Sequence, residues 1–438
     1  MFIRISIPVV LCALTTSLAF AGEPAELDAL RQELTALRRD YESRIEALEA
    51  RIRQLDDAAA VVGAAPAATE AAVQEKPNDF NPALSVVLVG TATEFAPDQT
   101  FAVPGFMAGA EAGAGAAGLS AGESELNARA NIDDRFYGNF TLAIADEDGA
   151  TAVDLEEAWL ETAALPYGMQ VRAGRFFSGI GYRNQFHRHA DDFVDRPLPY
   201  RVFLDGQYID DGIQVRWLAP LDRYLELGTE WLRGVGYPAG GAAHAGKGAW
   251  SLFARTGGDV GDSHSWQGSL SWLSARAAGR ESGNGDSFSG DVDLALLDAV
   301  WKWAPHGNPV GTNLKLEGAL FWQHQDGLFT PAGAGGLAYE ADQRGGYLEG
   351  VYQFMPRWRA GVRYAWLDSA EPGAVFAGTA LETLGVAPEI TSIMLDWSHS
   401  EFSRLRLQYS RDESNLAAVD RWYLQYLMSL GAHGAHQF

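Results

Sequence analysis

Polar and apolar residues alternate along most of the chain after residue 83. In 420–438, Trp422, Leu424, Tyr426, Met428 and Leu430 share one parity, and Arg421, Gln425, Ser429 and His433 share the other. A period of two is the repeat of an extended strand with two unlike faces. The same alternation sets Leu405, Leu407 and Tyr409 against Arg404, Arg406 and Gln408. It sets Trp358, Ala360, Val362 and Tyr364 against Arg359, Gly361 and Arg363, and Ile213, Val215 and Trp217 against Gln214 and Arg216. Sixteen such segments are predicted between 83 and 437. Most turns after even-numbered segments are short, such as 133–135, 164–168 and Pro356, whereas 94–122, 177–208, 234–247, 277–290, 326–345 and 369–387 are long loops after odd-numbered ones. An even count, with short turns at one end and long loops at the other, predicts an all-β antiparallel transmembrane barrel. A soluble sandwich would show the same alternation. The mid-strand charges of both signs, the repeated Trp and the asymmetry of the turns favour the barrel.

The period changes upstream. Leu27, Leu30, Leu34, Leu37 and Tyr41, then Ile45, Leu48, Ile52 and Leu55, follow steps of three and four. This narrow apolar seam with charged flanks predicts a coiled-coil helix over 22–56. The Ala- and Pro-rich stretch 57–82 reads as a linker, and 83–438 as the barrel. Arg4, the apolar run from Ile5 to Leu18 and the Ala19-Phe20-Ala21 site read as a signal peptide over 1–21. Its removal would take away Cys12, the single cysteine. No later apolar run reaches the ~20 residues a membrane helix needs. Both termini would then lie on the short-turn, periplasmic side, with the coiled coil in the periplasm of a Gram-negative cell.

A formal net charge of −24 argues against nucleic-acid partners. By parity, Arg172, Arg216, Arg255, Arg359, Arg363, Arg404 and Arg406 face the lumen, as do Glu226, Glu230, Glu317 and Glu349. A wall with both signs should pass ions with modest selectivity. Arg359, Arg363, Arg404 and Arg406 would share one stretch of wall, and neutralising them together is expected to shift the reversal potential toward cations.

The loop 177–208 is the main candidate for function. It sets Arg183, Arg188, Arg196 and Arg201 against Asp191, Asp192, Asp195 and Asp205. Folded inward, these opposed charges would lay a transverse field across a constriction. Phe177, Phe186, Phe193, Tyr200 and Phe203 supply an apolar face to pack on the inner wall. His187, His189, Asp191 and Asp192 could instead converge on zinc. No nucleophile motif, phosphate loop or HExxH helix is present in the sequence, so no enzymatic activity is expected.

Coiled coil, linker and barrel together resemble the porin-like Gram-negative outer-membrane proteins related to phosphate-selective porins. Four runs resemble a family labelled zinc-regulated or TonB-dependent outer-membrane receptors: 104–107 (PGFM), 173–182 (AGRFFSGIGY), 206–212 (GQYIDDG) and 429–436 (SLGAHGAH). The resemblance implies a barrel in outer-membrane lipid, a homo-oligomer with trimers favoured, and passage of small solutes; its label also raises zinc. The sequence departs from both patterns. Residues 22–82 leave no room for a folded N-terminal plug, and Lys occurs only at 76, 247, 302 and 315, against the lysine-rich pores of phosphate-selective porins. A passive diffusion channel is the leading expectation. A metal-linked uptake or binding protein and a mechanical tether are the competing ones.

Overall fold

The computed structural model describes residues 82–95, 103–109, 112–113, 117–147, 150–240, 248–282 and 285–431. The signal peptide, the coiled coil, the linker up to residue 81 and the C-terminal residues His433, His436 and Phe438 lie outside the described residues.

Strands β1 (Ala83–Glu94), β2 (Gly118–Ser120), β3 (Ser124–Asn131), β4 (Phe136–Glu147), β5 (Ala150–Thr162) and β6 (Met169–Phe177) precede the inward loop. Then follow β7 (Ile209–Leu218), β8 (Tyr224–Leu232), β9 (Ala249–Val260), β10 (His264–Glu281), β11 (Ser287–Trp303) and β12 (Asn313–Thr330). The series ends with β13 (Leu337–Met355), β14 (Trp358–Ser369), β15 (Glu389–Ser400), β16 (Ser403–Asp412) and β17 (Val419–Gly431). Each long strand pairs antiparallel with its chain neighbour, and β2 is a three-residue strand beside β1. Pairing of β1 with β17, from Ser85–Gly431 to Glu94–Trp422, closes the ring into a sixteen-strand barrel. Closure leaves no open edge.

Parity then sorts the side chains. Leu88, Leu252, Leu270, Leu320, Leu348, Val362, Ile393, Leu407 and Leu424 point outward and are exposed all round the wall. Paired aromatics stand at both ends: Trp358 lies 6.1 Å from Trp397 near the short turns, and Tyr409 lies 4.8 Å from Trp422 near the long loops. An exposed apolar belt with aromatic margins suits lipid. The large buried side chains are on the inside.

Two expected loops are shorter than predicted. Strands β10 to β13 run for 17 to 19 residues, so 277–290 contracts to 282–286 and 326–345 to 331–336. That is well beyond the about 9–11 residues that cross a bilayer. The extra length packs Phe288, Phe329 and Tyr339 against Phe376 and Leu381 of the 370–388 loop. Burial of this cluster holds the extended hairpins together where sequence alone reads turn residues.

Candidate functional site

Residues 178–208 leave the wall after β6, cross the lumen and return at β7. The neck is closed by Asn184, whose Nδ2 donates to the carbonyls of Ser178 (2.8 Å) and Tyr208 (3.0 Å) and whose Oδ1 accepts from the Tyr208 amide (2.8 Å). At the entry, Gly181 has φ +67°, and a Cβ there would lie 2.5 Å from Leu296 and 2.7 Å from the Tyr200 hydroxyl, so only glycine fits. The loop's α-helix, α1 (Leu198–Leu204), is buried along its whole length. Its Tyr200 and Phe203 rings lie 5.1 and 5.8 Å from Phe321 of β12, and Phe106 of the 103–109 segment covers Phe203 at 6.0 Å. The barrel thus holds a second, internal apolar core.

Charges tie the rest of the loop to the wall. Arg183 is held by Glu317 of β12 (2.6 Å), by Glu349 of β13 and by Asp191 (3.1 Å). Asp192 meets Lys315 (3.0 Å) and Arg359 (2.7 Å), and Asp195 meets Arg363 (2.6 Å) and the Gln408 amide (2.7 Å). Arg404 donates to the His189 carbonyl (2.8 Å) and Arg406 to the Asp191 carbonyl (2.8 Å), while Asp396 lies among Arg359, Arg404 and Arg406. Glu230 of β8 accepts from Ser178 Oγ (2.5 Å), the Gly179 amide (2.7 Å), Gln214 (2.6 Å) and Ser251 (2.5 Å). Burial would raise the Asp192 and Asp195 pKa values, but their cationic partners win. Lys315 and Arg359 hold Asp192 well below the usual range, and Arg363 and Arg201 bring Asp195 to about 2.

The loop folds inward as expected, but its charges act differently. Arg196 pairs with Asp191 (3.0 Å), Arg201 donates to the Ala112 carbonyl, and Asp205 caps α1 in a left-handed turn at φ +48°. Arg188, against Glu123 at 3.3 Å, keeps the most exposure of the four loop arginines. A buried charge must be paired, so most of the loop's Arg and Asp residues serve as fastenings rather than as two free rows across a pore. The same holds for Arg359, Arg363, Arg404 and Arg406. They do share one stretch of inner wall, but the loop covers them, and neutralising them would release the loop before it altered selectivity.

The four predicted metal residues are split. Asp191 and Asp192 go to the arginine and lysine side of the lumen. His187 and His189 point to the opposite wall and meet glutamates that were not singled out. His187 Nδ1 lies 3.0 Å from Glu125 and 3.2 Å from Glu156, His187 Nε2 lies 3.1 Å from Glu157, and His189 Nδ1 lies 2.7 Å from Glu125. Burial would lower the His187 pKa, but Glu125, Glu156 and Glu157 outweigh it and hold it well above its ordinary value. Strict alternation hides this arrangement. Thr141 pairs with Glu157 and Leu142 with Leu155, so a β-bulge at Glu156 turns two successive glutamates inward.

Beside the buried Glu125, Glu157 and Glu230 that meet the loop, β3 to β8 keep a partly exposed polar strip. Arg172 and Arg216 reach Glu161 at 2.8 and 2.5 Å, and the Arg172 guanidinium stacks 3.9 Å above Trp159. Asn127, Asn139 and Glu226 continue the strip.

No model of a known protein family matches the chain. An uncharacterized protein of Aquifex aeolicus is 29% identical over 348 residues, 73% of this chain and 70% of that one. Among solved structures, OprB of Pseudomonas putida superposes with a TM-score of 0.52 at 12% identity, covering 80% of this chain and 94% of its own. OmpF of Salmonella typhi, in complex with daunomycin, gives 0.51 at 10% identity (81% and 99%). The outer membrane channel DcaP of Acinetobacter baumannii gives 0.50 at 12% identity (80% and 97%). The shared feature is the fold, an outer-membrane-type barrel.

Proposed function

We propose that this protein is an outer-membrane channel for passive diffusion of small hydrophilic solutes or ions, and that it catalyses no reaction. The observation that carries the reading is the loop itself: a segment pinned across mid-lumen, with partly exposed charged residues left on β5 to β8 beyond its contacts. The way through runs past Trp159, Glu161, Arg172 and Arg216 on β5 to β7. The similar folds of OprB, OmpF and DcaP support this reading, and the last is described as a channel. A homo-oligomer, with trimers favoured, belongs to the same proposal.

Planar-bilayer recording tests it. Purified protein should give steady unitary conductance steps; a barrel that inserts and stays closed overturns the reading. Selectivity should depend on the strip. Replacing Arg172 and Arg216 with Ala frees the Glu161 carboxylate in a wet passage and should move the reversal potential in a KCl gradient toward cations. Replacing exposed Arg276 and Arg344, which lie on the outer face, should leave it unchanged, because charges beyond about 8–10 Å are screened in physiological salt. Topology follows from the turns: an epitope tag in 331–336 should be reached by antibody on intact cells, and one between Met355 and Trp358 only after permeabilisation. The reverse labelling would invert the orientation.

A further inference from the structure

We propose that Glu125, His187 and His189 bind one divalent transition-metal ion, with Glu156 available as a fourth ligand, and that the ion clasps the inward loop to β3 and β5. Binding is independent of the channel reading; the effect on permeation rests on it.

Four observations converge. The ligand atoms of Glu125, His187 and His189 all lie within 4.8 Å of one another, although they come from β3 and from a loop about sixty residues later. Tetrahedral bonds of 2.0–2.1 Å put ligands about 3.3 Å apart. Here the nitrogen-to-oxygen separations of 2.7 to 3.2 Å need only open slightly as an ion replaces the shared protons.

The His187 ring is also set for the task. Its Nε2 faces Glu157 and its Nδ1 faces Glu125 and Glu156, so with one hydrogen kept on Nε2 an ion that displaces the Nδ1 proton would meet the Nδ1 lone pair. Glu157 is in turn held by Trp159 Nε1 (2.8 Å) and Asn139 Nδ2 (3.0 Å), and Phe177 packs edge-on against the imidazole at 4.8 Å. A carboxylate on the far nitrogen is the usual way proteins orient a metal-binding histidine.

Charge is the third observation. Glu123, Glu125, Glu156 and Glu157 crowd together, and the last three keep only 3 to 8% of their side-chain exposure. Arg188 answers Glu123 from a more exposed position, 34%. With neutral imidazoles, the group retains an excess of buried negative charge, which is costly without a cation. The fourth is the bulge at Glu156, which gives up regular pairing to turn a second carboxylate inward. Two imidazoles among carboxylates suit zinc, nickel, cobalt or copper; calcium and magnesium take oxygen shells.

The test uses the full chain in detergent, stripped with EDTA and titrated with ZnCl2 by calorimetry. One Zn²⁺ per chain is expected. Glu125→Gln and His189→Asn should each weaken binding at least about tenfold, and Glu157→Gln by about 10-fold. His324→Asn, which removes an exposed His–Asp pair, should not change it. Because a variant could misfold, zinc-edge X-ray absorption on the wild-type protein provides a separate readout, and it should show two imidazoles in the shell. Absence of saturable binding, an all-oxygen shell, or full affinity in all three site variants overturns the site and means that protonated histidines alone neutralise the cluster. In bilayers, Zn²⁺ should lower conductance of the wild type and not of His189→Asn. Zinc binding to a barrel that never conducts overturns the channel and leaves the site; conductance without zinc binding does the reverse.

Discussion

Replacing residues 180–206 with a short Gly-Ser link should raise single-channel conductance several-fold. The loop spans the lumen from β8, β12 to β14 and β16 on one side to Glu125 of β3 and Glu157 of β5 on the other, and its removal leaves a barrel of the same circumference with that volume open to water. The ring should survive, because it is closed by the β1–β17 ladder and the loop contributes no strand to it. The amide of Ser178 already donates to the Tyr208 carbonyl at 3.1 Å, so the shortened chain has a ready closure point. The cost falls on the wall: Leu294, Leu296 and Phe321, now buried by the loop, would face water. The variant should therefore melt lower while conducting more. Unchanged conductance in planar bilayers, with the barrel intact by heat-modified gel migration, would mean that the solute path does not pass the loop.

Arg183→Met should undock the loop without opening the barrel. This side chain is 2% exposed and is shared by Glu317, Glu349 and Asp191. Removing it takes the guanidinium from the buried Glu349, while Glu317 keeps Lys315 at 2.7 Å and the Tyr347 hydroxyl at 2.6 Å, and Asp191 keeps Arg196. Breaking a buried pair from one side costs about 3–5 kcal/mol. The loop, rather than the strand ladder, is the part able to yield. A loss of 3 kcal/mol should raise protease cleavage within 183–201 on the order of 10²-fold, if opening precedes cleavage. Adding Glu349→Gln should recover part of the loss, since a neutral amide tolerates burial better than an orphaned carboxylate. Arg188→Ala, at a half-buried pair nearer water, should shift it far less, within about 1 kcal/mol. Equal cleavage of wild type and Arg183→Met would show that this cluster does not hold the loop.

These two sites mark how far local pattern reaches. The inward loop was visible as a run of Arg, Asp and aromatic residues too long for a turn. Three of the four runs that carry the family resemblance prove to bracket it: 173–182 enters it, 206–212 leaves it, and 104–107 lies against it, with the Gly105 carbonyl accepting from Gln343 at 2.6 Å. The lumenal parity of Glu230, Glu317 and Glu349 was also readable, but not their partners. A strand's parity tells which face a carboxylate takes; it carries no information on which loop residue arrives there from about 50 to 170 positions away. The histidines illustrate the same limit. His187 and His189 are two apart, and nearby Asp191 and Asp192 are the obvious company by sequence. The loop's path sends each pair to a different wall, because Arg359, Lys315, Arg404 and Arg406 attract the aspartates and their carbonyls to one side.

By itself the sequence determined the barrel, its sixteen long strands and the side each residue of a regular strand faces. Those follow from a period-two pattern that every segment carries within itself, and from the demand that backbone polar groups in lipid be paired. It also determined that the long loop would have an apolar face and many charges. Tertiary structure alone decided that those charges are fastenings, that β10 to β13 rise beyond the expected turns, and that Glu125, Glu156 and Glu157 gather around His187. Burial forces each charge to find a partner, and that partner is chosen by three-dimensional proximity across the lumen. A single-residue bulge at Glu156 was enough to turn two neighbouring carboxylates to one face, a change that strict alternation cannot register.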